Sequence, residues 1–370
     1  MTSKTPLYAL HLELGGRMVE FAGWMLPMHY GSQVEEHLAV RRAAGMFDVS
    51  HMMITDVEGP DAAALLSWLL ANETRRLQTS GQGLYSCLLN EGGGIVDDAV
   101  VYARDGQRFR MVSNASTRGK VLSWVERHAA GRAVRVAERH DLAMIAVQGP
   151  AARERCYPLL PAALAEAARG LDPYTACFTA DRCVARTGYT GEDGFEIMVP
   201  AGDVALLWTG LYESGVSAVG LGARDSLRLE AGMNLYGADM NEDISPLECG
   251  LAGTVAMGPD GRRFVGRAAL EDRMRAGVRV ARIGLVLAEG GILRAHQRVE
   301  VDAAATGRVT SGGYSPVLRR SIGLARVPAG AARMLRVEVR GKWLPAQAVR
   351  PPFVRHGQAC YSALGNGDLR

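Results

Sequence analysis

Apolar and polar positions change period several times along the chain, and each change marks an element. Ser32-x-x-Glu35 is a capping-box pattern and predicts a first helix from Ser32 to about Gly45. A strand is expected over Met52 to Val57. Gly59-Pro60-Asp61 then opens a helix whose Leu65, Leu66, Trp68, Leu69 and Leu70 form a wide apolar face. From Leu84 to Val112 the pattern turns to β. A strand with Tyr85 and Ser86, a glycine turn, a strand through Asp97, an Asp105-Gly106 hairpin signal and a strand closing on Asn114 follow one another. Asn114 is placed to cap the helix that carries Val121, Leu122 and Trp124.

Short strands near Val134 and Met144 bracket His140-Asp141, and the alanine-rich stretch from Ala151 to Gly170 reads as helix. The run from Arg186 to Ile197 is dense in glycine and carboxylate between two apolar strands, which implies a tight polar loop. A helix from about Asp203 ends at Gly215. Gly220-Leu221-Gly222-Ala223-Arg224-Asp225 leads into another, with Arg224 and Arg228 one turn apart. From about Val280 the composition shifts to short strands rich in valine and arginine, which reads as a separate all-β module. The boundary is expected in the basic, helical-looking segment between Arg267 and Gly277.

One strand breaks the rule that it should be apolar. Glu91-Gly92-Gly93-Gly94 launches Ile95-Val96-Asp97-Asp98-Ala99-Val100-Val101-Tyr102, which sets two adjacent carboxylates in a run of β-formers. Side chains alternate between strand faces, so the expectation is that one aspartate faces a site and the other a surface or a partner, without sharing a proton. Solvation of both, or a bulge that lends backbone amides to one, is the competing reading.

Composition narrows the classes. At 370 residues and 39.6 kDa the chain is long enough for two or three domains, and 48% apolar with 22% charged residues is ordinary globular usage. A net charge of +3 argues against nucleic acid or a membrane as the main partner while leaving room for a local basic pocket. Met1 to Leu7 lacks the apolar core of a signal peptide, and a cytoplasmic location is the expectation. The six cysteines form no C-x-x-C pair and read as reduced thiols. Neither a dinucleotide fingerprint, a P-loop, a G-x-S-x-G elbow nor an H-E-x-x-H helix is present. No metal is expected. His51, in Asp48-Val49-Ser50-His51-Met52, reads as a hydrogen-bonded structural histidine.

What remains is a set of separated acids, arginine and aromatics: Asp97, Glu196, Arg224, Tyr85 and Tyr189. Such a set suits a flat heterocycle with an amidine-like edge, because a carboxylate accepts two parallel hydrogen bonds from an amino group and the adjacent ring N–H. Pterins present that edge. Glu196 is the better candidate, read as ending a glycine-rich loop where backbone can approach a ligand. An ion pair of Glu196 with Arg224, or of Arg224 with Asp225, is the alternative.

Seven blocks then carry a resemblance, in order and spacing: Thr5-Pro6-Leu7-Tyr8, Phe21-Ala22-Gly23-Trp24, Met46 to Met52, Gly94-Ile95-Val96-Asp97-Asp98, Thr187-Gly188-Tyr189-Thr190-Gly191-Glu192, Gly220 to Met233, and Phe264-Val265-Gly266. Together they resemble the aminomethyltransferase (T-protein) family of the glycine cleavage system over essentially the whole chain. The resemblance implies an α+β, three-domain cloverleaf around a central folate cavity, with a C-terminal all-β barrel or jelly-roll-like domain. The implied division is 1–50 with 140–245, 51–139 with 246–276, and 277–370. It also implies transfer of the aminomethyl group from lipoylated H-protein to tetrahydrofolate, with release of ammonia and formation of 5,10-methylenetetrahydrofolate. The family's catalytic acid matches Asp97, its pterin-binding pair matches Tyr189 and Glu196, and its folate-contacting arginine matches Arg224. Val112, Asn114 and Tyr85 fall where the family lines the cavity, and Asp98 is expected to be structural. A monomer that meets H-protein transiently is implied.

The C-terminal Pro351-Pro352-Phe353-Val354-Arg355-His356 departs from the family, which often closes an aromatic residue on folate there; Tyr361 is the nearest candidate. Arg319, Arg320 and Arg355 are candidates for a polyglutamate tail or an acidic partner, against the plain reading of a solvated basic face. Two rivals share the fold: a folate-dependent demethylase, and a non-catalytic folate-binding protein. The latter's K-G-C-Y-x-G-Q-E type loop is not matched by Thr187 to Glu192.

Overall fold

The structure is a computed structural model that describes residues 2–258, 261–301, 306–330 and 334–364. The chain divides into two compact units. One comprises the chain up to Leu88, Val96–Gly188 and Glu192–Arg224; the other comprises Leu89–Ile95, Tyr189–Gly191 and the chain from Asp225 onward.

Two large sheets build the first unit, beside a small three-stranded one of Ser3–Lys4, Trp24–Pro27 and Met18–Phe21. The six-stranded sheet orders its strands Ala176–Phe178, Cys183–Ala185, Gly194–Pro200, Leu142–Gln148, Gly45–Asp48 and Ser217–Ala218. The five-stranded sheet runs Gly83–Leu89, Ile95–Ala103, Arg108–Ser113, Met53–Glu58 and Arg135–Glu138. All strands of the second sheet lie in sequence between the first two long strands of the other, so one sheet is an insertion within the other. The fully buried strand Leu142–Gln148 centres the larger sheet, and Met46, Ile145, Val147, Ile197 and Trp208 pack in its core.

Local rules explain several helices. Ser32 accepts from the Glu35 backbone N–H at 3.3 Å and starts the helix Gln33–Arg42. The helix Ala62–Leu69 buries Leu65, Leu66 and Leu69 as expected. The alanine-rich stretch is broken into Ala152–Cys156, a short 3-10 turn Tyr157–Leu159 and Ala162–Arg169, because Pro158 and Pro161 cannot continue a helix. Among the described residues no helix is long and apolar enough to cross a membrane.

The second unit carries a closed barrel. Val280–Leu287, Arg320–Pro328, Thr306–Ser315, Arg298–Glu300, Met334–Val339 and Lys342–Arg350 pair in that order, and the last pairs back with Val280–Leu287. Alternate residues such as Ile283, Leu285, Val309, Val337 and Ala348 fill it. The helix Arg267–Ala276 precedes it. A bulge between Val309 and Ser311 turns two hydroxyls onto buried Asp239, which accepts from Thr310 at 2.5 Å and Ser311 at 2.7 Å while Arg228 donates at 3.0 Å. The side chains of Arg319, Arg320 and Arg355 are exposed.

Within the five-stranded sheet, Asp56 is held by Arg110 through two bonds of 2.7 and 2.8 Å and by Arg139 at 2.7 Å, with Asp56 and Arg110 only 4% and 2% exposed. Removing one partner strands the other charge. Asp56→Ala is expected to cost about 3–5 kcal/mol in urea unfolding; a loss under about 1 kcal/mol, the range of a surface pair, would show that water reaches Arg110.

Candidate active site

Asp97 enters the interior on the strand Ile95–Ala103 and is completely buried. Three donors meet its carboxyl. The Asn114 side-chain Nδ2 donates to Oδ1 at 2.8 Å, the Asn114 backbone N–H donates to Oδ2 at 3.2 Å, and the Thr117 hydroxyl donates to Oδ2 at 2.7 Å. Strand register explains the arrangement. Ala99 stands opposite Ser113, so Asn114 leaves the sheet beside Asp98 and its amide reaches both carboxyls. The same Nδ2 donates to Asp98 Oδ1 at 2.7 Å, and the Tyr85 hydroxyl donates to Asp98 Oδ2 at 3.0 Å.

This differs from the alternation argument, which sends the two aspartates to separate surroundings. Their side chains do leave on opposite faces, but an amide with two hydrogens at the strand's rim joins them. Asn114 is therefore not spent on a helix cap. The helix Arg118–Ala129 begins after a 3-10 turn, Ala115–Thr117, with no side-chain cap.

The electrostatic consequence is large. Burial and then the neighbouring Asp98 charge push Asp97 up to about 7, against the pull of Asn114 and Thr117. Burial raises Asp98 as well, opposed by Asn114 and Tyr85. Such a carboxyl can take up and release a proton near neutral pH.

Glu196 lies inside the strand Gly194–Pro200, between Ala146 and Ala185 of its neighbours, rather than at the end of a loop. Strand pairing continues right up to the glycine, which leaves the loop shorter than its composition implies. Thr187 donates to Glu196 Oε2 at 2.6 Å, and the Tyr102 hydroxyl lies 2.8 Å from Thr187 Oγ1. Burial, and then the charge of Glu196, hold the Tyr102 phenol well above its ordinary range, so it keeps its proton and acts as the donor. Gly188 permits the fit: a Cβ there would stand 1.8 Å from Gln148 Oε1, while Gln148 Nε2 donates to the Thr187 carbonyl at 3.0 Å.

Arg224 sits on the helix Leu221–Glu230 with its guanidinium 5.9 Å from the Phe47 ring centre. Asp225, the alternative partner for Arg224, is bound by Arg228 at 2.7 Å. His51 is buried against the Phe21 ring, and its Nδ1 has no hydrogen-bond partner among the described residues, contrary to the expected hydrogen-bonded histidine. Burial, followed by the charge of Arg224, lowers it to about 4, so the ring is neutral. Val112 is buried in the strand Arg108–Ser113 between Ile54 and Val100. Tyr189 belongs to the second unit, where its hydroxyl donates to the Asn234 carbonyl.

The expected residues thus fall into separate groups. Asp97, Asn114 and Tyr85 join through Asp98; Glu196 stands with Thr187 and Tyr102; Arg224 stands with Phe47 and His51. Sequence reasoning missed Thr117, Thr187, Tyr102 and the link through Asp98. The one available signal was Asn114-x-x-Thr117, two hydrogen-bonding side chains just past a strand end. It also missed a buried chain in which His11 Nε2 lies 2.9 Å from Asp48 Oδ2 and the Tyr30 hydroxyl 2.7 Å from His11 Nδ1. Tyr30 also lines a cavity of about 470 Å³ with Ser32, Glu35, Glu36 and Tyr212. Among the described residues no group of three or more His, Cys, Asp or Glu side chains is placed to hold a metal ion.

The fold is α+β with a closed barrel, and Asp97 is a buried carboxyl able to exchange a proton near neutrality. Comparison with known proteins narrows the class. The family model of the GCVT N-terminal domain matches residues 7–259, and that of the glycine cleavage T-protein C-terminal barrel domain matches residues 281–355. An aminomethyltransferase of Methylococcus capsulatus is 55% identical over 95% of this chain and 96% of its own length. One of Pseudomonas syringae is 50% identical over 97% and 99%. The crystal structure of the glycine cleavage system aminomethyltransferase T from Bartonella henselae superposes with a TM-score of 0.90 at 34% identity, covering 96% of this chain and 99% of that one. The chain belongs to the glycine cleavage T-protein family and is an aminomethyltransferase. The resemblance carried by the seven sequence blocks is borne out, and the match over the full length favours this reading over a demethylase or a non-catalytic folate binder.

The raised Asp97 carboxyl makes stability depend on pH. Its folded pKa lies above the unfolded value of about 4, so its contribution is intact below that value and is lost as pH rises toward 7. In Asp97→Asn the fall in melting temperature between pH 5 and pH 8 is expected to be shallower than in the parent. Equal slopes would mean that Asp97 is already ionised at pH 5.

Proposed function

We propose that the chain splits the aminomethyl group carried on the dihydrolipoyl arm of H-protein and passes its one-carbon unit to tetrahydrofolate. Ammonia and 5,10-methylenetetrahydrofolate are the products. In the balanced reaction the carbon leaves sulfur and nitrogen for the two folate nitrogens, and the two folate N–H protons end on the lipoyl sulfur and on ammonia. Those two proton movements are what the protein must serve.

The observation that carries the reading is the burial of Asp97 among Asn114, Thr117 and Asp98, which leaves a carboxyl able to hold or accept a proton at neutral pH. On this reading Asp97 sits at the N10 side of tetrahydrofolate and moves a proton as N5 attacks the one-carbon unit. Positioning of two bound substrates supplies most of the remaining acceleration. Glu196 takes the amino and ring N–H of the pterin as an acceptor, oriented from behind by Thr187. Tyr189, Arg224, Asn114, Val112 and Tyr85 are the further folate contacts, and no metal takes part. The domain division of 1–50 with 140–245, 51–139 with 246–276, and 277–370 goes with this function. So does a cytoplasmic monomer that meets lipoylated H-protein transiently and accepts tetrahydrofolate with or without a polyglutamate tail.

Asp97→Asn is expected to keep tetrahydrofolate affinity within a small factor while folate-dependent ammonia release from aminomethylated H-protein falls by about 100-fold or more. Lost affinity with surviving turnover at saturation would make Asp97 a binding residue. Glu196→Ala is expected to do the reverse, raising the tetrahydrofolate dissociation constant by about tenfold or more. Unchanged affinity in calorimetric titration would end its role as the pterin acceptor.

A further inference from the structure

We propose that Asp98 is a positioning residue for the transfer reaction: through the Asn114 amide that both carboxyls share, it couples the adjacent aspartates into one proton-exchanging pair, with Tyr85 orienting Asp98. The inference rests on the reading of Asp97 as the proton-moving group.

Geometry carries it. One nitrogen lies 2.8 Å from Asp97 Oδ1 and 2.7 Å from Asp98 Oδ1, so the two oxygens are separated by at most about 5.5 Å. At that spacing in a buried site two negative charges do not coexist easily, and the pair titrates in two steps that belong to both residues. The amide holds both oxygens in register without supplying a countercharge. Donors to the two carboxyls are uneven: Asp97 receives Asn114 twice and Thr117, whereas Asp98 receives the Asn114 amide and the Tyr85 hydroxyl. Among the described residues the charged group acting on Asp97 is Asp98 of its own strand. Tyr85 faces the pair from the neighbouring strand Gly83–Leu89, and the segment that follows Ser113 contributes Asn114 and Thr117, which do not titrate.

A carboxylate placed where a carboxylate should be costly is a poor structural residue and a good tuning device. Removing its charge makes it easier to ionise Asp97, so Asp97 should titrate at lower pH. The Tyr85 hydroxyl stabilises the Asp98 anion; without it Asp98 holds the proton more strongly, and Asp97 should again titrate lower, by less.

The test is the titration of the Asp97 carboxyl in the whole, substrate-free protein labelled with carboxyl-¹³C aspartate, its signal assigned by its loss in Asp97→Asn. In Asp98→Asn the Asp97 midpoint is expected to move toward acid by about one pH unit or more, and the limb of the kcat–pH profile for ammonia release is expected to move with it. Tyr85→Phe, which keeps both carboxyls, is expected to give a smaller shift in the same direction and serves if Asp98→Asn does not fold. An unmoved Asp97 midpoint in these variants overturns the proposal whatever the activity. A midpoint that moves while the kcat limb stays also overturns the assigned role in the reaction. Failure of the functional reading is separately visible, because Asp97→Asn would then retain its turnover.

Discussion

Two adjacent carboxylates on a buried strand are tolerable only if hydrogen-bond donors reach them, and Asn114, Thr117 and Tyr85 all reach them from one sheet and the turn that follows it. Asn114 and Thr117 stand just past the end of the strand Arg108–Ser113, and Tyr85 stands on the strand at the other flank of Ile95–Ala103. The hairpin register sets this. Ala99 opposite Ser113 leaves Asn114 beside Asp98, and a slip of one residue would move the amide away from one carboxyl and turn apolar Val101 outward. The turn near Asp105-Gly106 and the glycine turn before Ile95 therefore serve the chemistry as much as the fold. At Gly94 a Cβ would stand 1.7 Å from the Glu242 carbonyl, so the strand can be launched from that point only by glycine.

The second acidic site follows the same logic. Glu196 in mid-strand cannot be approached by backbone amides already engaged in pairing, so a side chain orients it, and Thr187 is itself fixed by Tyr102 and Gln148. Tyr102 is carried on the strand that also carries Asp97. One strand thus supports both carboxyls on which the functional reading depends, and the polar network is satisfied step by step instead of leaving a buried charge bare. Arg224 beside a neutral His51 adds positive potential without a second proton-exchanging group, since the arginine charge is one reason the imidazole stays unprotonated.

In the barrel unit the hard polar problem is solved structurally. Asp239 is surrounded by Arg228, Thr310 and Ser311, and Glu230 accepts from Ser315 at 2.5 Å. These carboxylates are enclosed by donors, one of them the charged Arg228. Asp97 differs in facing a like charge and neutral donors, and this contrast separates a carboxylate that holds the fold from one that can exchange a proton.

Much of this was legible along the chain. The capping box at Ser32, the hairpins from Leu84 to Val112, the start of the barrel near Val280 and the anomaly of Asp97-Asp98 all follow from period, turn chemistry and composition, which depend on neighbours in sequence. The seven blocks were enough to indicate the family. Other features were not legible. Asn114 read as a helix cap, Glu196 read as a loop residue, His11 and Asp48 lie 37 positions apart, and alternation sent Asp97 and Asp98 to separate surroundings. Each of these was decided by strand register and by the depth of burial. Register chooses which side chains meet at a strand's rim, burial sets what an unpaired charge costs there, and neither quantity is a property of a local stretch of residues.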